Sequence, residues 1–140
     1  MKAVLDTGIF ISALISSEGV PYKAVDLWID KRFDLITSKY QTEELRRVSR
    51  YPQVAPKVVP YMVGAIVNRL RKYATVLDEL PEVDYSPDPK DNPILATAIA
   101  GEVQYIVSGD KRDMLDLEKV AGIPILTARD FVNLFVDLGS

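Results

Sequence analysis

Short apolar runs alternate with longer stretches of helical periodicity along the chain. The runs have the length and composition of buried strands, so strands are predicted over residues 2–5, 33–36, 74–77, 104–107 and 123–126. The last run contains Pro124, which has no amide hydrogen to donate to a neighbouring strand. We therefore expect that strand to lie at an edge of the sheet.

The stretches between these runs carry helix signals. Ser38 and Gln41 have the spacing of a capping box, while Pro60 and Pro93 suit the first turn of a helix. Helices are predicted over residues 22–30, from Ser38 to about residue 50, from Pro60 to about residue 73, from Asn92 to a stop at Gly101, and from Thr127 onwards.

This alternation of strands and helices predicts βαβ units. The expected fold is α/β, with a mostly parallel, five-stranded sheet and helices on both faces. Residues 51–60 and 80–89 are rich in proline, and we interpret them as loops within one unit. Because the chain has no Gly/Ser-rich linker, repeat or low-complexity tract, residues 1–140 are expected to form a single domain.

Composition narrows the chemistry available to this chain. It has 48% hydrophobic residues, no cysteine and no histidine, which excludes disulfides, thiolate metal sites and histidine general bases. The net charge of −3 disfavours a nucleic-acid binder that relies on overall positive charge, although a local basic strip is compatible with it. With Asp6 inside the first apolar stretch and no long apolar run, we expect a cytoplasmic protein without a membrane span.

Acidic residues fall where the predicted strands end. Asp6 follows the first strand, Asp110 the fourth, Glu44 lies in the helix after the second, and Asp91 precedes the helix that leads into the fourth. The carboxyl ends of parallel strands share one edge of a sheet, so these acids are expected to converge. Individually, each has an ordinary interpretation: Asp6 as a helix cap, Asp91 at the start of a helix, Asp110 in a turn and Glu44 paired with Arg47.

Four converging carboxylates need a counter-charge. At about 5 Å, each pair repels by roughly 3 kcal/mol at an effective dielectric constant of 20. Mg²⁺ and Mn²⁺ bind carboxylate oxygens, polarise phosphoryl oxygens and activate water, so such a site could hydrolyse phosphodiesters without histidine.

The order of these segments resembles the PIN domain family, in particular the toxins of prokaryotic toxin–antitoxin systems. The matching segments are residues 4–7 (VLDT), 42–48 (TEELRRV), 88–92 (DPKDN) and 105–111 (YIVSGDK). The resemblance implies a three-layer α/β/α fold and a metal-dependent endoribonuclease that uses Mg²⁺ or Mn²⁺. Its four catalytic and metal-binding acids correspond to Asp6, Glu44, Asp91 and Asp110.

Two of these correspondences require a choice between neighbouring acids. Glu44 is preferred to Glu43 because it directly precedes Leu45, and Asp91 to Asp88 because it directly precedes the asparagine that opens a helix. The resemblance also suggests auxiliary roles for the residues Asp113, Thr7 and Ser108, although the order of residues around Asp113 departs from the family pattern. The two hydroxyls are expected to orient carboxylates or to cap local structure.

Partners follow from the same resemblance and from the surface pattern. RNA is the expected substrate, and the candidate phosphate contacts are Lys39, Arg46, Arg47, Arg50, Lys111 and Arg112, which otherwise are solvated surface charges. The helix from Pro60 has more apolar positions than one buried face needs. We therefore expect a homodimer and a cognate antitoxin protein, unless that helix is simply well buried.

Three other functions have sequence signatures that can be compared with this chain. A phosphatase of the haloacid dehalogenase type would carry Asp-x-Asp after the first strand, whereas Asp6 is followed by Thr7 and Gly8. A response-regulator receiver would need an acidic pair after the first strand, where this chain has only Asp6. A non-catalytic PIN-fold protein that only binds RNA or a partner is the remaining alternative, and four repelling acids in its groove argue against it.

Overall fold

One six-stranded sheet forms the centre of the computed structural model, which describes residues 1–109 and 112–139, with side chains to residue 136. The strands are β1 (Lys2–Leu5), β2 (Asp34–Ser38), β3 (Thr75–Leu77), β4 (Tyr105–Ser108), β5 (Lys119–Val120) and β6 (Ile123–Thr127). Their order across the sheet is β3-β2-β1-β4-β6-β5. All neighbouring pairs are parallel except β5 and β6. The predicted α/β class and mostly parallel sheet are confirmed.

Helices connect the strands and cover both faces of the sheet. They are α1 (Thr7–Ile15), α2 (Val20–Ile29), α3 (Lys39–Val48), α4 (Pro60–Tyr73), α5 (Asn92–Ala100), α6 (Arg112–Leu115) and α7 (Ala128–Gly139). Two short 3₁₀ turns, Ala55–Lys57 and Pro89–Asp91, lie in the proline-rich loops. Within the described residues, no helix is both long enough and apolar enough to cross a membrane.

Alternation along the strands divides the apolar core between the two faces. Ala3 and Leu5 of β1 pack with residues of α1, α2 and α7, including Phe10, Trp28 and Phe131. The intervening residue Val4 belongs to a second cluster, which includes apolar residues of α5 and Met114 of α6. This period of two is the pattern of strands buried on both faces. The parallel pairing brings the carboxyl ends of the strands to one edge of the sheet.

The sheet has six strands rather than the predicted five. The additional strand, β5, has two residues and pairs antiparallel with β6 through the turn at Ala121 and Gly122. Both turn residues have positive φ, 51° and 80°, as a two-residue hairpin of this hand requires. A strand of two residues is too short to show a periodic pattern, which is why it was not predicted.

The predicted edge position of Pro124 is wrong. β6 lies between β4 and β5, and Pro124 is paired with Lys119 of the short edge strand. The parallel ladder with β4 begins at Ile125, one residue later. Pro124 therefore precedes the first residue of the ladder with β4, so a proline there is compatible with a strand that is not at the edge.

Two helices were not predicted. The α1 sequence, TGIFISALI, is apolar on most sides and has no amphipathic stripe, so periodicity does not distinguish it from the preceding strand. The α6 helix has only four residues. The other five helices begin and end close to their predicted bounds, since caps and prolines mark them.

Candidate active site

Asp6 occupies the junction between β1 and α1. Its amide donates to the carbonyl oxygen of Val107 at 2.9 Å, which extends the pairing of β1 with β4. Its carboxylate caps α1 by accepting from the amide of Ile9 at 3.1 Å, and accepts from the Ser108 hydroxyl at 2.7 Å and the Gly109 amide at 3.3 Å. Asp6 is thus both a structural cap and a buried carboxylate at the carboxyl edge of the sheet.

Glu44 lies on the buried face of α3 and is held from two sides. The hydroxyl of Thr7 in α1 donates to its Oε1. Its Oε2 lies 3.9 Å from the Nη2 of Arg47, one turn further along α3. Glu44 is only 8% exposed, so these contacts fix a largely buried carboxylate beside the first turn of α1.

Gln41 attaches α3 to the ends of β1 and β2. Its Nε2 donates to the carbonyl oxygen of Leu5 at 2.6 Å, and its Oε1 accepts from the Thr37 hydroxyl at 2.5 Å. Its backbone amide donates to the hydroxyl oxygen of Ser38, the capping residue of α3, at 3.2 Å. Because Gln41 contacts the residue before Asp6 and lies one turn before Glu44, this network sets the relative position of the two acids.

Asp91 is supplied by the loop before α5. Its Oδ2 accepts from the hydroxyl of Ser86, which is buried, at 2.7 Å. The Asn92 side chain closes the loop by accepting from the amides of Tyr85 and Ser86 at 3.1 and 3.0 Å. Asp91 is only 4% exposed. The loop therefore presents a buried, oriented carboxylate at the start of a helix.

One cavity, which we call the acidic cavity, joins the three carboxylates. It has a volume of about 480 Å³, and Asp6, Glu44 and Asp91 contribute to its lining. Arg47 and Lys90 also line it. The predicted convergence of these acids on one cavity is therefore observed for three of the four. Asp110, like Lys111, lies outside the described residues, although its neighbour Gly109 lines the cavity.

A second grouping of acids overlaps this set at Asp91. Among the described residues, Asp88, Asp91 and Asp113 each place a carboxylate oxygen within 4.8 Å of the others, a spacing that one metal ion could bridge. Asp6 and Glu44 do not belong to this closer group. Asp88, which sequence reasoning set aside, caps the 3₁₀ turn by accepting from the Lys90 amide at 3.0 Å.

The donor set fits a hard divalent cation. Carboxylate oxygens are the protein ligands that Mg²⁺ and Mn²⁺ prefer. Three buried carboxylates around one cavity are stabilised by such a charge, and Ser108, Thr7 and Ser86 hold them by hydrogen bonds in the manner of outer ligands around metal sites. Sequence reasoning included Thr7 and Ser108 but missed Ser86, because a serine in a proline-rich loop carries no signal.

The predicted phosphate contacts are distributed unevenly around this cavity. Three of them are exposed and do not line the cavity: Lys39, Arg50 and Arg112. Arg46 is half-buried, and its buried Nε has no hydrogen-bond partner among the described residues. Arg47 does line the cavity. Its hydrogen bond with Tyr51 raises the pKa of its guanidinium, and Tyr40 adds to the effect.

Comparison with known proteins gives two matches. A family model described as the PIN domain matches residues 2–112 of the chain. The uncharacterized protein MJ1680 of Methanocaldococcus jannaschii is 29% identical over 124 residues, which cover 84% of this chain and 75% of that protein. No solved structure matches the chain significantly. The region matched by the family model includes Asp6, Glu44 and Asp91.

Proposed function

Because this chain belongs to the PIN domain family, we propose that it is a metal-dependent endoribonuclease that hydrolyses RNA phosphodiester bonds at the acidic cavity. PIN domains are metal-dependent nucleases, and the chain carries a cluster of acidic residues. The choice of RNA as substrate is part of the proposal.

The observation that carries the proposal is the convergence of buried acids from separate elements. Asp6 comes from the end of β1, Glu44 from α3 and Asp91 from the turn before α5, and all three line one cavity. Carboxylates removed from solvent repel one another unless a cation is present. A protein that only binds RNA gains nothing from acids in its groove, so the non-catalytic alternative is the weaker one.

The proposed site assigns each group a role. Asp6, Asp91 and Asp110 would hold Mg²⁺ or Mn²⁺, and Glu44 would be a further ligand or would orient the attacking water. A divalent cation bound there supplies stabilisation of the charge that develops on the phosphoryl group. Arg47 and Lys90, which line the cavity, would bind substrate phosphates. Thr7 and Ser108 keep Glu44 and Asp6 in fixed orientations.

Cleavage of labelled RNA, with a DNA strand of the same sequence beside it, tests this function. We expect RNA cleavage in Mn²⁺ or Mg²⁺, none in EDTA, and none from Asp6→Asn or Glu44→Gln. The matched control is Asp26→Asn, which makes the same chemical change at an exposed position in α2. Full activity in EDTA, or in both active-site variants, contradicts the proposal.

We propose further that the chain is the toxin of a toxin–antitoxin pair and forms a homodimer. The supporting observation is the surface of α4, where Tyr61 is 77% and Met62 42% exposed. With Phe10 and Tyr22 they line an apolar cavity of about 360 Å³. Apolar side chains in such a cluster are typical of protein interaction sites.

Molar mass and bacterial growth test these two statements separately. Light scattering should give a dimer for the native chain and for Asn68→Glu, but a monomer for Tyr61→Glu, which adds the same charge to the apolar surface. Expression should arrest growth unless an antitoxin is co-expressed, and Asp6→Asn should not arrest it. A monomeric native chain contradicts the dimer, and normal growth with active enzyme contradicts the toxin role.

A further inference from the structure

A second cavity lies at the opposite edge of the sheet from the acidic cavity. It has a volume of about 430 Å³, and Lys2, Asp34 and Thr75, the first residues of β1, β2 and β3, contribute to its lining. We call it the amino-edge cavity. β1 has only four residues, so roughly 13 Å of strand separates it from Asp6. Its volume is that of a site for a small ligand.

Positive charge concentrates around the amino-edge cavity. Lys2, Lys31 and Arg69 line it against a single acid, Asp34, among the described residues. None of the three cations forms an ion pair with another side chain in the part of the chain that the structure describes. The chain as a whole carries a net charge of −3, so this local excess is not a consequence of composition. An anion is the ligand that such a surface favours.

The same cavity has aromatic walls. Trp28 and Phe33, both buried, and Tyr73, which is 57% exposed, are among its lining residues. The guanidinium of Arg69 lies 5.6 Å and the ammonium of Lys72 5.3 Å from the centre of the Tyr73 ring. An exposed aromatic ring beside cations is the combination that binds a base and its phosphate together.

Lys31 brings its charge to this cavity from a strained position. It follows α2 with a φ of 62°. Its amide donates to the carbonyl oxygen of Trp28 at 2.8 Å, and the amide of Arg32 donates to the carbonyl oxygen of Leu27 at 2.9 Å. This is the helix-ending motif in which glycine is favoured at the left-handed residue. A lysine in place of the favoured glycine adds a positive charge to the lining of the cavity, at the cost of backbone strain.

From these observations we propose that the amino-edge cavity binds a nucleotide unit, with the phosphate on Lys2, Lys31 and Arg69 and the base against Tyr73. The unit can come from a free mononucleotide or from a single-stranded RNA outside the cleavage site. This proposal goes beyond the nuclease activity and does not depend on it, because binding at this edge requires neither the acids nor a metal.

Trp28 is the single tryptophan of the chain, so its fluorescence reports on this cavity. The Asp6→Asn variant in EDTA is titrated with adenosine monophosphate, a single-stranded RNA pentamer and inorganic phosphate, and calorimetry repeats each titration. We expect saturable binding of the nucleotide and the pentamer. Binding of the pentamer about tenfold tighter assigns the site to RNA, whereas equal affinity assigns it to free nucleotides.

Two neighbouring arginines on α4 provide a matched pair of variants. Arg69→Gln should weaken nucleotide binding about tenfold, the value of one charge-assisted contact. Arg71→Gln makes the same change two residues further along α4, outside the cavity lining, and should leave the affinity unchanged. Lys31→Gly should also weaken binding, and its melting temperature should not fall because glycine suits the left-handed backbone.

Three results would each overturn the proposal. The first is the absence of saturable binding by both fluorescence and calorimetry. The second is equal weakening by Arg69→Gln and Arg71→Gln, which would indicate non-specific charge attraction. The third is inorganic phosphate binding as tightly as adenosine monophosphate, since the base would then contribute nothing. A chain that cleaves no RNA leaves all three measurements interpretable.

Discussion

Asp6 shows how a residue can satisfy two interpretations at once. One oxygen of its carboxylate caps α1 through Ile9, and the other accepts from Ser108 and Gly109. The ordinary expectation of a helix cap is therefore correct, and the same side chain still lines the acidic cavity. At this residue, the bonds that orient the proposed metal ligand are also bonds that hold β1, α1 and β4 together.

This double role predicts opposite stability effects for two isosteric substitutions in EDTA. Asp6→Asn leaves one acceptor oxygen and places a donor group against existing donors, which we expect to lower the free energy of unfolding by about 1–3 kcal/mol. Asp91→Asn retains an acceptor for Ser86 and removes a charge beside Asp88 and Asp113. We expect Asp91→Asn to raise the free energy of unfolding by about 1 kcal/mol. The increase is small because Asp113 is exposed and solvent screens its charge.

Thermal melts in EDTA measure the difference directly, with Asp26→Asn as the control. Each kcal/mol corresponds to about 4 °C in a domain of this size. If Asp6→Asn melts above the native chain, repulsion among the acids outweighs the hydrogen bonds of Asp6, and its role as a stabilising cap is refuted.

Thr7 is expected to position Glu44 rather than touch the substrate. Thr7→Val keeps the shape of the side chain but removes the hydroxyl that donates to Glu44. We predict a loss of roughly 10–100-fold in activity or in apparent Mn²⁺ affinity, the usual effect of losing a group that orients a ligand. Thr7→Ser keeps a hydroxyl and should retain most of the activity and of the apparent Mn²⁺ affinity. A Mn²⁺ titration of the cleavage rate measures both quantities. Equal loss in both variants would show that the methyl group, not the hydrogen bond, matters.

At the scale of elements, the packing of α5 on β2 depends on a close approach at Gly101. A β-carbon there would lie 2.6 Å from the Cγ2 of Ile36 and 3.0 Å from the carbonyl oxygen of Thr97. The capping role predicted for Gly101 is confirmed, since α5 ends at Ala100. This contact with the neighbouring strand is what the sequence could not show.

Gly101→Ala is therefore predicted to destabilise the protein by about 1–3 kcal/mol through overpacking. Gly64→Ala is the matched comparison, because it lies inside α4 with no atom near the added methyl group. It should stabilise the helix by about 0.5–1 kcal/mol. Urea unfolding of both variants checks this, and a shift in the same direction for both would refute the role of the Ile36 contact.

Elements with local signals were predictable, and those created by pairing were not. The helix from Pro60 to Tyr73 has the predicted bounds, because a proline marks its start. All five predicted strands are present in the sheet, but the predicted edge position of β6 is wrong because the two-residue strand β5 pairs with its outer side. A short hairpin has no periodic pattern of its own, so only the three-dimensional structure reveals it.

The whole molecule places three of the four predicted acids around one cavity, and their order along the sheet explains why this was predictable. Asp6 and Glu44 follow the neighbouring strands β1 and β2, so parallel topology brings them together. The closer group of Asp88, Asp91 and Asp113 was not predictable, because it depends on the path of a proline-rich loop relative to α6. Asp91 belongs to both sets, so we expect binding of the metal ion to require Asp91.

Stabilisation by metal distinguishes these two sets. An ion that binds only the folded chain adds about 2.7 kcal/mol at a hundredfold excess over its dissociation constant. In a domain of this size, that amounts to a rise of roughly 10 °C in melting temperature. Melts in a Mn²⁺ series should show this rise for the native chain and for Asp26→Asn, and a much smaller one for Asp91→Asn.

Glu44→Gln and Asp88→Asn, which lie one in each set, complete the comparison. If the ion occupies the acidic cavity, Glu44→Gln reduces the rise in melting temperature more than Asp88→Asn does, and we expect this result because Glu44 is buried and held by Thr7. The reverse order would place the ion at Asp88, Asp91 and Asp113 and remove Glu44 from the ligands. Equal rises in the native chain and Asp91→Asn would mean that neither set binds the metal.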